Sequence, residues 1–239
     1  MAGVSIGGTD LSKVAIGETE IEKISIGDEL VWTAIPPFSF VDEFATAVAT
    51  GWGSQWTKIG AMSATDGRVA SGIAIAVDQG FNTTKRAAWY RATDVAAPVD
   101  DVVARFRMSQ PGAYTYDAAH EAVLVSRASE NTSDANGVWV VLHNNQARIY
   151  TVIGGTQTAR GTAGSYPMGV DLEFRAIGQT YSVVRMDTEA TITSWTDSTN
   201  VVPTGAGYRG LKAAVTATGS FGAGTKGSAG FDRIEYGLA

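Results

Sequence analysis

The 239-residue chain offers few side chains for covalent chemistry. It has no cysteine and two histidines, so thiolate nucleophiles, thiolate zinc sites, iron–sulfur clusters and disulfides are excluded. A Ser/His/Asp set would have to use His120 or His143. His120 closes Tyr114-Thr-Tyr-Asp-Ala-Ala-His120, and His143 opens a His-Asn-Asn turn. No Gly-x-Ser-x-Gly elbow presents a serine to either, and both read as surface or loop residues. The glycine-rich run Gly219 to Ser228 fails as a phosphate cradle, because Lys226 follows Gly-Thr and no helix follows it; it reads as a loop. Glycoside hydrolysis needs only two carboxylates. Asp171-Leu-Glu173 and Asp187-Thr-Glu189 are isolated, however, and no Glu-x-Asp-x-x-Glu run projects acids from one strand face. The chain is therefore expected not to be an enzyme, the alternative being a carbohydrate-active hydrolase whose carboxylates converge from separate strands. No cofactor is expected. Asp66, Asp78 and Asp197 could ligate calcium, but their spacing does not support a site.

Aromatic residues with polar neighbours are more plentiful. Stacking on sugar faces with a few directed hydrogen bonds is the physical basis of carbohydrate binding. The candidates for exposure are Trp89-Tyr90-Arg91, the segment holding Tyr114, Tyr116 and His120, and Trp195-Thr-Asp197. Trp56 and Trp139 are assigned to the core.

Such residues need a scaffold, and the scaffold reads as β. Val102, Ala104, Phe106 and Met108 alternate with Val103, Arg105 and Arg107, which places the arginines on a solvent face. Leu172, Phe174 and Ala176 alternate with Glu173 and Arg175, and Leu211 to Ala217 behaves likewise. Val138 to Leu142 is apolar on both faces and suits a central strand covered on both sides. Asp66-Gly67, Gln110-Pro111-Gly112, Asn136-Gly137, His143-Asn144-Asn145, Gly154-Gly155 and Ile177-Gly178-Gln179 read as turns. No capped helical periodicity occurs. The expected fold is all-β: a two-sheet antiparallel jelly-roll sandwich over residues 38–239.

The longest apolar runs, Ile73 to Val77 and Val138 to Leu142, are far shorter than the about 20 residues that span a bilayer, so no membrane insertion is expected. The first residues do not read as a secretory signal. A net charge of −6 and a pI near 4.9 weigh against nucleic acid as a partner.

The N-terminus repeats. Val4-Ser-Ile-Gly-Gly-Thr-Asp-Leu-Ser-Lys13 aligns without gaps on Val14-Ala-Ile-Gly-Glu-Thr-Glu-Ile-Glu-Lys23, and a third copy runs from Ile24 to Trp32. Each unit reads as strand, turn, strand, with a glycine at the turn. So short a stretch cannot bury its own apolar stripe. Ile6, Leu11, Ile16, Ile21, Ile26, Val31 and Trp32 are the residues expected to meet a partner. Asp10, Glu18, Glu20, Glu22, Asp28 and Glu29 against Lys13 and Lys23 give this segment −4 of the chain's −6. Ile35-Pro-Pro-Phe38 then breaks the pattern. The expected organisation is an assembly or docking segment over 1–34, a linker over 35–37, and the sandwich over 38–239.

Two resemblances attach to these residues. The run Phe40-Val-Asp-Glu-Phe44, then Gly51-Trp52 to Trp56, then Asp66-Gly-Arg-Val69 resembles the opening of concanavalin A-like jelly rolls related to laminin G domains. Phe231-Asp-Arg-Ile-Glu-Tyr236 is similar to their closing strand, which lies beside the opening one. The repeat, Ile-Gly-x-Thr-x-Ile-x-Lys-Ile-x-Ile-Gly-Asp-x-x-Val-Trp ending at Trp32, is similar to N-terminal segments of minor tail proteins of phages that infect actinobacteria. That resemblance implies a virion protein of the distal tail, present in several copies as a homo-oligomer with a trimer as the first expectation. It implies other tail proteins as partners and a sandwich displayed to a host cell-surface glycan, the alternative being a purely architectural tail subunit whose sandwich binds no ligand.

Overall fold

The computed structural model describes residues 5–6, 9–10, 14–16, 19–21, 23–26, 29–33, 38–60, 63–77, 84–110, 112, 115–131, 136–220 and 224–239. The chain divides into two compact units, Met1–Phe38 and Ser39–Ala239. In the first, β1 (Ser5–Ile6) pairs with β2 (Thr9–Asp10), β3 (Val14–Ile16) with β4 (Thr19–Ile21), and β5 (Lys23–Ile26) with β6 (Glu29–Thr33), all antiparallel. The partners Ile6↔Thr9, Ile16↔Thr19 and Ile26↔Glu29 recur every ten residues. Each sequence repeat is thus one two-stranded hairpin. Ile6, Ile16, Ile21, Ile26, Val31 and Trp32 lie on these strands, and Leu11 lies outside the described residues.

The second unit contains β7 (Ser39–Asp42), β8 (Trp56–Lys58), β9 (Gly67–Ala70), β10 (Ile73–Ala76), β11 (Arg86–Ala96), β12 (Val102–Ser109), β13 (Thr115–Tyr116), β14 (Glu121–Ala128), β15 (Gly137–His143), β16 (Gln146–Ile153), β17 (Thr156–Ser165), β18 (Asp171–Ile177), β19 (Thr180–Arg185), β20 (Thr191–Thr196), β21 (Gly210–Ser220), β22 (Gly224–Gly227) and β23 (Gly230–Leu238). An eight-stranded sheet runs β20-β19-β18-β12-β23-β10-β9, with β7 also on β23. A nine-stranded sheet runs β8-β11-β21-β14-β15-β16-β17, with β22 and β13 continuing from β21. All pairing is antiparallel except the short β13–β22 contact. The only helical turn among the described residues is the three-residue Ala206–Tyr208; no helix among them is long and apolar enough to cross a membrane.

Alternation sends Ala104, Phe106, Phe174, Val183, Ile234 and Tyr236 of one sheet, and Leu124, Val140, Ile149, Ala213 and Val215 of the other, into the core, each at most 1% exposed. The opening and closing strands pair as the resemblance implied, Tyr236↔Phe40 and Ile234↔Asp42. The aromatic residues of the opening run fill that end of the core. Trp52 stacks on Tyr90 at 4.6 Å and meets Trp56 edge-on at 5.5 Å. Their polar atoms are all satisfied: Trp56 Nε1 donates to Asp42 Oδ2 at 2.9 Å, Trp52 Nε1 to the Ile75 carbonyl at 3.2 Å, and the Gly67 amide to the Tyr90 hydroxyl at 2.8 Å.

Three turn readings change. Gly67 is not a turn residue but the start of β9, where a Cβ would meet Trp52 and Tyr90 side-chain atoms within 2.7 Å; the glycine makes room for two stacked rings, and the hairpin turns at Ser71-Gly72 instead. Asn136-Gly137 leads into β15 rather than closing a hairpin on two residues. The glycine-rich run contains a strand, β22, paired with β21. Asn144-Asn145, Gly154-Gly155 and Gly178-Gln179 do close their hairpins; both asparagines and Gly154, Gly155 and Gly178 have the positive φ such turns require.

Candidate functional site

The outer face of the nine-stranded sheet departs from the polar surface an antiparallel sandwich usually shows to water. Register builds it row by row. One row crosses the sheet as Arg91, Lys212, Val125, Trp139 and Tyr150 on β11, β21, β14, β15 and β16. The next is Trp89, Ala214, Val123, Val141 and Arg148 on the same strands. Ala214, Val123 and Val125 are short, so the two indoles reach across them. Trp89 and Trp139 meet with ring centroids 4.9 Å apart and planes tilted by 53°. Ile59, Trp89, Val123, Val125, Ala128, Val141 and Ala214 form a buried apolar cluster, and Trp139, Tyr150 and Ala87 pack against it while staying partly exposed.

Trp89 is the fixed member of this platform. It is only 6% exposed, its amide donates to Ser63 Oγ at 2.9 Å, and its carbonyl accepts from both the Ser63 hydroxyl and the Ile59 amide. Trp139 and Tyr150, paired directly across β15 and β16, present the accessible aromatic edge. Arg148 lies over the Tyr150 ring with its guanidinium carbon 5.6 Å from the centroid. At the other flank Arg91 opens into a cavity of about 240 Å³ that Asp94, Glu130, Gly210 and Lys212 also line. Lys212 is buried and donates to the Asn131 carbonyl at 2.8 Å. Such a surface can stack an apolar ring face and hydrogen-bond its rim.

The candidates named from sequence are not brought together. Trp89 and Tyr90 were expected to be exposed and are buried, because successive strand residues point to opposite faces and both faces are covered here: Trp89 enters the platform and Tyr90 the core against Trp52. Burial pushes the Tyr90 hydroxyl pKa up. Arg91 is on the platform face. Tyr116 and His120 stand at the end of the same sheet, and Tyr114 lies outside the described residues. His120 is not a surface residue: it is 6% exposed, its Nε2 is 3.1 Å from Thr218 Oγ1, and burial holds its pKa below the ordinary imidazole value. Trp195 belongs to the other sheet, stacked on Tyr181 at 5.4 Å and capped by Arg160 at 4.8 Å. Asp197 is a buried loop anchor. Burial alone would raise its pKa, but amides of Val202, Val201 and Thr199 donate to it and bring it below the usual carboxylate range. Of the conceivable calcium ligands, Asp66 is engaged by Lys58, Asp197 by these amides, and Asp78 lies outside the described residues. No cluster of three or more metal-ligating side chains occurs among the described residues.

Trp139, Tyr150 and Arg148 were missed. The signal was present: a two-residue Asn144-Asn145 turn pairs His143 with Gln146, and counting back from it sets Trp139 opposite Tyr150.

No protein-family model and no curated protein matches the sequence. Solved structures do match the fold. SCLam, a non-specific endo-β-1,3(4)-glucanase of family GH16, aligns with a TM-score of 0.51 at 10% identity over 87% of this chain and 97% of that chain. A protein of unknown function from Shewanella oneidensis MR-1 aligns at 0.50 and 12% identity over 86% and 88%. The carbohydrate-binding module CBM66 from Bacillus subtilis aligns at 0.46 and 12% identity over 74% and 91%. The first two likenesses, with the two antiparallel sheets, show a jelly-roll sandwich of the concanavalin A-like kind, and they are of fold alone. They also correct one expectation. The exclusion of an enzyme from missing motifs does not stand, because the same architecture carries a glucanase in SCLam, whose sequence is only 10% identical.

Proposed function

We propose that residues 39–239 bind a glycan on the outer face of the nine-stranded sheet, with Trp139 and Tyr150 as the stacking platform and Arg148 at its rim. The observation that carries this reading is the pair of partly exposed rings, Trp139 and Tyr150, directly opposite each other at the edge of a buried apolar cluster, with Arg148 beside them. The fold is compatible with it, since solved sandwiches of this kind include a carbohydrate-binding module and a glucanase. The test is a microbial glycan array probed with the full chain and with Trp139→Ala and Tyr150→Ala. Binding by the parent and its loss in both variants, with unchanged circular dichroism, is expected; binding that survives both substitutions overturns the platform.

The setting we propose is the distal tail of a phage that infects actinobacteria, with a host-surface glycan as ligand and the N-terminal hairpins as the contact to other tail proteins or to further copies in a homo-oligomer. Its support is the repeat itself: three two-stranded hairpins at a ten-residue period, carrying most of the chain's net charge. Light scattering of the full chain against residues 39–239 tests the assembly role. An oligomer that becomes a folded monomer on truncation is expected, and an oligomer that persists overturns it.

A further inference from the structure

The two arginines on the platform face are unusual in having nothing to hold. On the central strands of the other sheet each arginine has a carboxylate: Arg105 has Glu173 and Glu235, Arg175 has Glu173, Arg107 has Asp232 and Arg233 has Glu235. The Nε of Arg233 is itself unpartnered, although its Nη2 holds Glu235, and the edge-strand Arg68 has an unpartnered Nε and no carboxylate. On the platform face Arg91 and Arg148 make no ion pair and no hydrogen bond with a described residue, and the Nε of each is buried without a partner. A buried donor left unsatisfied costs free energy. In a chain of net charge −6, carboxylates are not scarce. Glu121, on the same face, is instead engaged by Lys85 at 3.4 Å. Asp94 and Glu130 line the cavity beside Arg91 without pairing to it.

From this we infer that the glycan carries negative charge, and that Arg148 takes a carboxylate or phosphate oxygen of a sugar stacked on Trp139 and Tyr150. The inference rests on the platform reading and names its ligand class. Guanidinium forks bind such oxygens in bidentate fashion and lose little by being partly dehydrated beforehand. Arg148 is held in place by Tyr150, so its orientation is set before the ligand arrives. Arg91 and Arg148 stand on strands four intervals apart, roughly 19 Å at about 4.8 Å per interval. One sugar cannot reach both, so the ligand is a polymer with repeated negative charges.

Three probes test this with the full chain: a neutral galactan oligomer, an oligogalacturonate of equal length, and a sugar-substituted glycerol-phosphate polymer. At least one anionic probe is expected to bind roughly tenfold or more tighter than the neutral one, an advantage that shrinks as ionic strength approaches about 1 M, where the screening length is about 3 Å. Which of the two does so identifies the anion. Arg148→Gln should remove the preference, lowering anionic affinity to that for the neutral probe measured with the same variant, and Arg148→Lys should restore part of it. Equal binding of all three probes, unchanged in Arg148→Gln, overturns the anionic ligand and leaves the platform intact. Anion binding that Arg148→Gln abolishes but Trp139→Ala does not move keeps the anion and overturns the platform. Failure of all three probes to bind at millimolar concentration overturns the anionic ligand.

Discussion

On the outer face of the eight-stranded sheet, Arg105 stands between Glu173 and Glu235 on adjacent strands, and Arg175 and Arg233 flank them. The corresponding middle of the nine-stranded sheet holds Val123, Val125, Val141 and Trp139, with its two arginines unpaired at the flanks. Both faces turn away from the interior of the sandwich, but the apolar one packs with Ile59 into a buried cluster of its own, with Trp139 and Tyr150 at its partly exposed edge. The charged face is self-sufficient: Arg105 and Arg107 pair with carboxylates of adjacent strands, and Arg175 and Arg233 with carboxylates two residues away on their own strands. The aromatic face ends in partly exposed rings and in two guanidinium groups that pair with no described residue. A face whose charges are paired needs only water, whereas one that ends in partly exposed rings and unpaired cations can take a ligand.

Trp89→Ala gives the largest effect that separates the two. Its ring is almost wholly buried beneath the platform, so its loss should cost about 3–4 kcal/mol in urea unfolding. It should also loosen Trp139, and a double-mutant cycle with Trp139→Ala should return a coupling of about 0.5–1.5 kcal/mol. Additive effects would mean that the two indoles do not support each other. The charged face should respond next. Glu173, 4% exposed, accepts from Arg105 Nε at 2.7 Å and from Arg175 Nε. Glu173→Gln should cost about 1–2 kcal/mol, discounted because both arginines are close to half exposed, and should leave glycan binding untouched.

The charged face was readable in the sequence because the alternation of Val102 to Met108 and of Leu172 to Ala176 contrasts apolar with charged side chains at period two. The aromatic face was not, because Val138 to Leu142 is apolar on both sides and alternation then carries no information about which side is the core. Trp139 was taken for a core residue for that reason. Only the register imposed by Asn144-Asn145 distinguishes its side from that of Val140. Trp89 and Tyr90 misled in the opposite sense: polar neighbours suggested a loop, yet both lie within the eleven-residue β11, one on each covered face. Asp197 is buried by a loop that folds its own amides onto the carboxylate, a local closure with no signature in residue type.

Acid should take the two faces apart in sequence. His120, buried at the end of the nine-stranded sheet, has a folded pKa below that of the unfolded chain. Its unfolded form therefore binds the proton first, and stability should start to fall as pH drops below about 6.5. Glu173 has a lowered folded value: burial alone would raise it, but hydrogen bonds and charge from Arg175 and Arg105 prevail. That contribution is fully present above the unfolded value of about 4.3 and is lost as pH falls through the folded one. His120→Gln should abolish the first decline and keep the second, and Glu173→Gln should keep the first and weaken the second, the remainder coming from Asp197 and Asp100, whose folded values are also lowered, as read from unfolding free energies between neutral and acidic pH. A single decline unaffected by His120→Gln would remove the histidine from this account.

The smallest effect is the most discriminating. Arg148→Gln should change the unfolding free energy by no more than about 0.5 kcal/mol, because no carboxylate loses a partner and only the contact with the Tyr150 ring is given up. The same substitution at Arg105 would strip Glu173 of one of its two arginines and Glu235 of a second cation. If Arg148→Gln proves as costly as Arg105→Gln, then Arg148 is structural, and the contrast between a self-sufficient face and one that ends in unpaired cations fails at its most exposed point. If it is neutral for folding yet removes the preference for an anionic glycan, the two faces differ in what their arginines are for.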